Sequence, residues 1–401
     1  MNYIKEPAKT VPVLQKYETV VAGGGIAGIS AALAAARNGS KTLLIEREFM
    51  LGGLATAGLV TIYLPLCDGT GRQVSFGIAE ELLRLSVRHG YEGKYCPEWL
   101  NGGTREERRK KRFEVQYNPY VFAIEAEQLL KSAGVTILYG TAVCDALTEN
   151  GKITHLILEN KSGRSAAELK TVIDTTGDAD ICKLSGENTA VFAQGNVPAA
   201  WSYVTENGKF SLKQLGACDI PDSQKTKEQL NADRSSMRFT GLDADELTQL
   251  VQYSHKTLLN KFLNGGGVSP ERTISSIAAI PQIRMTRRID GVFTQNDDDI
   301  GCEHTDSVGL FSDWRKAGPV YELPFSTLYG KKISNLITAG RCISVTDSMW
   351  DITRVIPVCA VSGQAAGTAA AITDNFADTD IKKLQKLLKS TGVMLREKEL
   401  Q

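Results

Sequence analysis

The sequence predicts an α/β fold: a Rossmann-like nucleotide-binding domain, discontinuous in sequence, with a second unit inserted before the chain returns to it. Three observations carry this reading. The turn G-x-G-x-x-G falls on Gly23, Gly25 and Gly28, between an apolar run and a stretch of small residues. The next apolar run ends on an acid, Glu46. Near the C-terminus, "TAGRCISVTDSMWDITRVIPVCAVSGQAAGTAAAI" (338–372) again reads as strand, polar loop and Gly/Ala helix.

The elements follow in order. Residues 19–22 read as a buried strand, and residues 29–38 as a helix closed by Gly39. Residues 41–45 form the second strand. Gly23 permits the tight turn, Gly25 lets backbone approach a pyrophosphate, and Gly28 lets helix and strand pack closely. Ile26 and Ala27 lie within the glycine turn as cofactor-binding candidates, and the N-terminus of the helix that follows faces the phosphates. Glu46 is placed to accept hydrogen bonds from a ribose diol and disfavours a 2′-phosphate. This stretch alone does not separate NAD from FAD. Further on, 120–133 reads as a helix, 136–139 as a strand, and 151–174 as a hairpin returning to a buried strand at 170–174. The last sheet strand is expected at 335–339, followed by a helix from near Pro357, with proline in its first turn where a missing N–H is harmless.

Composition sets the outer limits. The chain has 401 residues, 42% hydrophobic and 23% charged, with zero formal net charge. Length predicts two or three units, and the neutral balance argues against nucleic acid or an anionic membrane as partner. The basic cluster at 104–112 has no interleaved aromatics and reads as a solvated helix face. No stretch approaches the roughly 18 apolar residues of a membrane span, and the N-terminus lacks an apolar signal core. Eight cysteines without a C-x-x-C pair argue against a zinc site or a disulfide framework. The chain therefore reads as a soluble cytoplasmic protein with reduced thiols. No metal is expected, because the acids around Asp297–Asp299 match no ligand spacing.

The order of the pieces resembles a known group. "EPAKTVPVLQKYETVVAGGGIAGISAALAAARNGSKTLLIERE", "LGGLATAGLV", "IRMTRRIDG" and "ISNLITAGRCISVTDSMWDITRVIPVCAVSGQAAGTAAA" are similar to blocks of the bacterial FAD-dependent oxidoreductases of the FAD_oxidored group, within the glutathione-reductase-like flavoprotein fold. The match covers most of 5–375, with about 190–270 poorly matched. The resemblance implies a FAD-binding domain over 1–80, 115–190 and 330–375, a helical excursion at 81–114, a substrate or cap domain at 191–329 and a C-terminal helix in 376–401.

It also implies roles. Arg47 follows the ribose acid; Gly53, Leu54, Ala55 and Thr56 follow Gly52 in a turn along the ribityl chain and flavin. Ala142 and Val143 meet the adenine, and Thr176 and Gly177 pass near the adenosine. Gly340 and Arg341 lie beside the ribityl phosphate, and Val355 and Ile356 end the loop before the helix whose N-terminus faces the flavin N1/O2 edge. Met50-Leu51 stand where fumarate-reductase relatives carry a flavin-linking histidine, so the FAD is expected to be noncovalent. Arg354 is the leading catalytic candidate, as an anchor for a substrate carboxylate or oxyanion. His304 is the candidate acid/base. Arg284, Arg287 and Arg288 alternate on an expected strand and cannot all face one cleft.

The activity these residues imply is hydride transfer between a small polar substrate and flavin N5. The alternatives are reduction of an activated C=C bond, or a non-catalytic flavoprotein subunit of a larger complex. The electron partner and any homo-oligomer are left open.

Overall fold

A computed structural model of the chain describes residues 3–216, 221–232 and 237–401; Cys218 lies outside them. The domain is built on β1 (Tyr17–Ala22), α1 (Ile26–Arg37), β2 (Thr42–Ile45), α2 (Pro119–Ser132) and β3 (Thr136–Leu138). β1 and β2 are buried at nearly every position, as parallel strands covered on both faces must be. A hairpin of β4 (Ala142–Glu149) and β5 (Lys152–Asn160) then leads into the long strand β6 (Gly163–Asp174). The outer half of β6 pairs antiparallel with β5, while its inner half runs parallel to β1.

The sheet is completed from the far end of the chain. β7 (Leu336–Thr338) lies parallel to β6, with Leu336 opposite Val172 and Thr338 opposite Asp174. From there α3 (Ile356–Ala370) returns along α1. All fifteen residues of α3 are buried and none is charged. Its glycines explain how two helices of small residues pack so closely. A Cβ on Gly363 would stand 2.4 Å from the Ala27 carbonyl oxygen, and one on Gly367 would stand 2.1 Å from that of Ala31. The second Gly/Ala block is thus the other half of the first domain, as its pattern predicts.

Two expectations change. α1 begins three residues earlier than its small-residue run suggests, because Gly25 is itself the N-cap and Gly28 lies in the first turn. Residues 307–328, expected within the inserted unit, contribute Val308, Phe311, Tyr321, Leu323, Phe325 and Leu328 to the main core around α1 and α3. The excursion contains helices Ile78–Ser86, Pro97–Leu100 and Arg105–Lys110. The last is the basic cluster. Its start is fixed by a capping box between Thr104 and Glu107, and none of its residues is buried. Among the described residues, no helix is long and apolar enough to cross a membrane.

Candidate functional site

One cleft collects the sequence's candidates. It runs along the carboxyl ends of β1, β2 and β6, where open α/β sheets bind ligands. Gly23 has a φ of +102°, and a Cβ there would meet the Thr175 carbonyl oxygen at 2.5 Å, so only glycine lets the loop turn against β6. A Cβ on Gly28 would lie 1.8 Å from the Gly23 carbonyl oxygen, which holds the helix hard against the loop. Gly25 differs from both: nothing lies within 4 Å of its added Cβ, which would project into open space. Thr175 secures the arrangement by donating its hydroxyl to the carbonyls of Ala22 and Gly23, at 2.9 and 2.7 Å.

Glu46 closes one end. Its two carboxylate oxygens accept the Gly24 and Glu48 N–H groups, at 2.6 and 2.8 Å. Burial raises its pKa, while these two hydrogen bonds pull it down. Each oxygen keeps acceptor capacity beyond these bonds, and Glu46 lines the cleft. The acid therefore pins the glycine loop as well as facing the cleft. Arg47, Thr141, Ala142 and Val143 line the same end. The Gly52 turn is tied to this loop, since Gly52 N–H donates to the Gly24 carbonyl at 2.8 Å. Gly53, Leu54 and Ala55 continue along the cleft wall. Thr56 does not. It is fully buried, with its hydroxyl turned back to the Leu51 carbonyl at 2.5 Å, and its part is to fix the turn.

Two helix N-termini reach this one cleft. Gly25 caps α1 and Val355 caps α3, and neither supplies a side-chain hydrogen bond to its first turn. Unfilled N–H groups and the positive end of each helix dipole are thereby offered to a ligand from two directions. Gly340, at φ +72°, brings the chain from β7 toward the second of them. Arg341 lines the cleft, but one edge of its guanidinium is held by Asp178 at 3.3 Å and by the Ile283 carbonyl. Thr176, Gly177, Val355 and Ile356 line the cleft as expected; Gly28 lies beneath it.

Arg354 stands at the mouth of α3, 11% exposed, with its Nε and Nη2 donating to Asp351 Oδ1 at 3.1 and 2.5 Å. Asp351 is also approached by Arg315 at 3.6 Å. Among the described residues Nη1 of Arg354 makes no hydrogen bond, and the residue lines the cleft. Salt bridge and cleft contact, alternatives in the sequence, are both present.

His304 is corrected. Its N–H donates to Glu322 at 2.7 Å, its carbonyl accepts from Arg396, and its ring tilts against Phe293, away from the cleft lining. Segment 307–328 joins the main core, so the return loop does not reach the glycine-lined cleft. The arginine strand is also shorter than expected, covering Arg287–Ile289 only. Arg287 pairs with Asp180 at 2.7 Å and Arg288 with Asp347 at 3.5 Å; Arg284 lies outside the strand and lines the cleft.

Sequence reasoning missed Asp180, Cys359 and the 280–284 segment. Asp180 lines the cleft with its pKa raised to about 6, first by loss of solvent around a side chain that is still 44% exposed, then by the charges of Asp178 and Asp174, against the pull of Arg287. "TTGDAD" carried that signal. Cys359, in the first turn of α3, is a neutral thiol pushed up to about 12 by burial. The 280–284 segment has no periodicity to announce it: Ala279 N–H bonds to the Ala57 carbonyl at 2.8 Å, and Gln282 bonds to that of Gly58, which docks it on the chain just after the Gly53–Ala55 turn.

The family model for the FAD dependent oxidoreductases matches residues 18–197 and 196–388. The chain belongs to that family. FAD is accordingly its cofactor, and the cleft's residues fit it: a glycine loop open at Gly25, an acid at the end of β2, and two uncapped helix N-termini. A thioredoxin reductase of Ureaplasma parvum serovar 3 is 33% identical over 76 residues, which are 19% of this chain and 25% of the relative, so the match spans about a quarter of that protein. A geranylgeranyl bacteriochlorophyll reductase-like protein of Thermoplasma acidophilum is similar in structure, at 14% identity and a TM-score of 0.48, over 94% of this chain and 84% of that one. A 3-ketosteroid-Δ4-(5α)-dehydrogenase of Rhodococcus jostii RHA1 gives 13% identity and a TM-score of 0.42, over 89% and 97%.

Proposed function

We propose that this FAD-dependent oxidoreductase transfers hydride between a small substrate bearing an anionic group and N5 of noncovalently held FAD. The observation that carries the reading is Arg354. It is largely but not fully buried, tethered by Asp351, and lines the cleft directly before the N-terminus of α3. FAD, when bound, supplies the two-electron acceptor or donor. The chain supplies the rest. Gly25, Ile26 and Ala27 present backbone to the phosphates, and Glu46 accepts from the ribose. The first turn of α3 offers positive potential where negative charge grows on reduction. Arg354 anchors the substrate through its Nη1 edge while Asp351 holds the other edge in place.

The test is photoreduction of the purified flavoprotein, then a metabolite screen for reoxidation, with a parallel screen for bleaching of the oxidised form. Arg354→Lys should retain FAD yet lower the rate of flavin reduction by any substrate found, because lysine keeps the charge and loses the planar fork. Unchanged reduction kinetics in a variant of lowered Tm would restrict Arg354 to a structural salt bridge.

A further inference from the structure

The cleft has two walls of different origin. One follows the glycine loop and the Gly52–Gly53 turn, and continues through Val60, Ile62 and Leu64. The other comes from the inserted segment, through Leu247, Ile280, Pro281 and Ile283. A cofactor that follows the glycine loop lies along the first wall. The second is left to face whatever the cofactor reacts with. Among the described residues its one charged member is Arg284, which is only 3% exposed: Nη1 meets the Gln282 carbonyl at 3.4 Å, and the guanidinium lies 5.6 Å from the Trp201 ring. Apart from Arg284 the described part of the second wall is aliphatic, while Arg354 lines the α3 end with its Nη1 outside the Asp351 pair.

We propose that the substrate is an amphiphilic monoanion: an apolar body held against Leu247, Ile280, Pro281 and Ile283, with one carboxylate-like group on Arg354. This rests on the hydride-transfer reading and replaces the small polar molecule that the sequence suggested. The physical reason is that apolar side chains lining a cleft gain only by covering apolar surface, whereas a fully polar substrate would have to shed water against them. A neutral apolar substrate fails for the opposite reason, because covering the cleft with it desolvates the Arg354 guanidinium edge without giving it a partner. The 280–284 segment is fastened to residues 57–58 by the Ala279–Ala57 and Gln282–Gly58 hydrogen bonds, so this wall is set in place before any ligand arrives.

The experiment titrates the oxidised holoprotein with three probes, phenylacetate, phenylacetamide and acetate, and follows the flavin absorbance band. Phenylacetate should bind at least about ten-fold more tightly than either other probe. Arg354→Gln should abolish its advantage over phenylacetamide. Ile283→Asn should abolish its advantage over acetate while FAD stays bound. Equal binding of the amide or of acetate, or no binding by any probe to a fully flavinylated protein, overturns the amphiphile and leaves hydride transfer standing. A preparation that cannot hold FAD overturns the hydride-transfer reading, and the inference falls with it.

Discussion

Gly25 and Gly28 sit three residues apart in one turn, and the structure assigns them opposite sensitivities. Gly25 has φ −67° and ψ −176°, a conformation that alanine adopts without strain, and its added Cβ meets nothing within 4 Å. Gly25→Ala should therefore fold normally, with Tm unchanged or raised by the loss of unfolded-state entropy, worth about 0.4–1 kcal/mol. The methyl would nevertheless occupy the space into which the α1 N-terminus points, and FAD content should fall sharply. In Gly28→Ala the Cβ would lie 1.8 Å from the Gly23 carbonyl oxygen, 2.9 Å from Thr175 Oγ1 and 3.0 Å from the Gly23 carbonyl carbon. Backbone must then move by more than 1 Å to reach an ordinary contact, and overpacking of this kind costs about 1–3 kcal/mol. That displacement also disturbs the α1–α3 contact at Gly363. Gly28→Ala should lose both stability and FAD. Melting curves of the apoproteins, with flavin fluorescence titrations, separate the two variants. Full FAD affinity in Gly25→Ala would refute the placement of the phosphates at the α1 N-terminus. A wild-type Tm in Gly28→Ala would refute the packing argument.

Other outcomes follow from the same geometry. Glu46→Gln leaves one acceptor oxygen where two N–H groups now converge, so one charge-assisted bond worth about 1.5–3 kcal/mol is lost; FAD affinity and Tm should both drop, measured by titration and melting. Asp351→Ala strips Arg354 of its buried partner, a change that typically costs about 3–5 kcal/mol; the variant should melt earlier and reduce its flavin more slowly, and a wild-type reduction rate would sever Asp351 from substrate positioning. Asp180 tests pH dependence. Its folded pKa of about 6 lies above the ordinary 3.8, so its stabilising share is present at low pH and lost as pH rises through about 6. Asp180→Asn should therefore raise Tm relative to wild type near neutral pH and lose that advantage below about pH 4.

What was legible in the sequence was what depends on local pattern. The glycine turn, the flanking strands, the acid at the end of β2 and the proline-led helix α3 each carry their own chemistry in consecutive residues. The joining of 336–338 to β6 was also legible, because a second Gly/Ala helix needs a partner of its own kind. Illegible were features decided by long-range packing. His304 sits in an acidic, loop-like stretch, and nothing local says that its neighbours Val308 and Phe311 belong to the main core. Thr56 reads as part of a cofactor turn, yet its hydroxyl is spent on the Leu51 carbonyl within the turn. The 280–284 wall is set by two hydrogen bonds to residues more than two hundred positions away, which no periodicity reports. Arg354 was legible as a candidate, but its tether to Asp351 became apparent only once 347–353 closed into a helix that puts the two residues three apart on one face.

The most direct measurement is the identity and amount of flavin carried by the purified wild-type protein. Heat-denatured protein, freed of precipitate and run against standards, should release FAD in a ratio close to one per chain, with a colourless pellet showing that none stays covalently attached. Release of FMN would contradict the adenosine end of the cleft at Glu46, Ala142 and Val143. A yellow pellet would contradict noncovalent binding. A colourless protein that cannot be reconstituted with FAD would contradict the account as a whole.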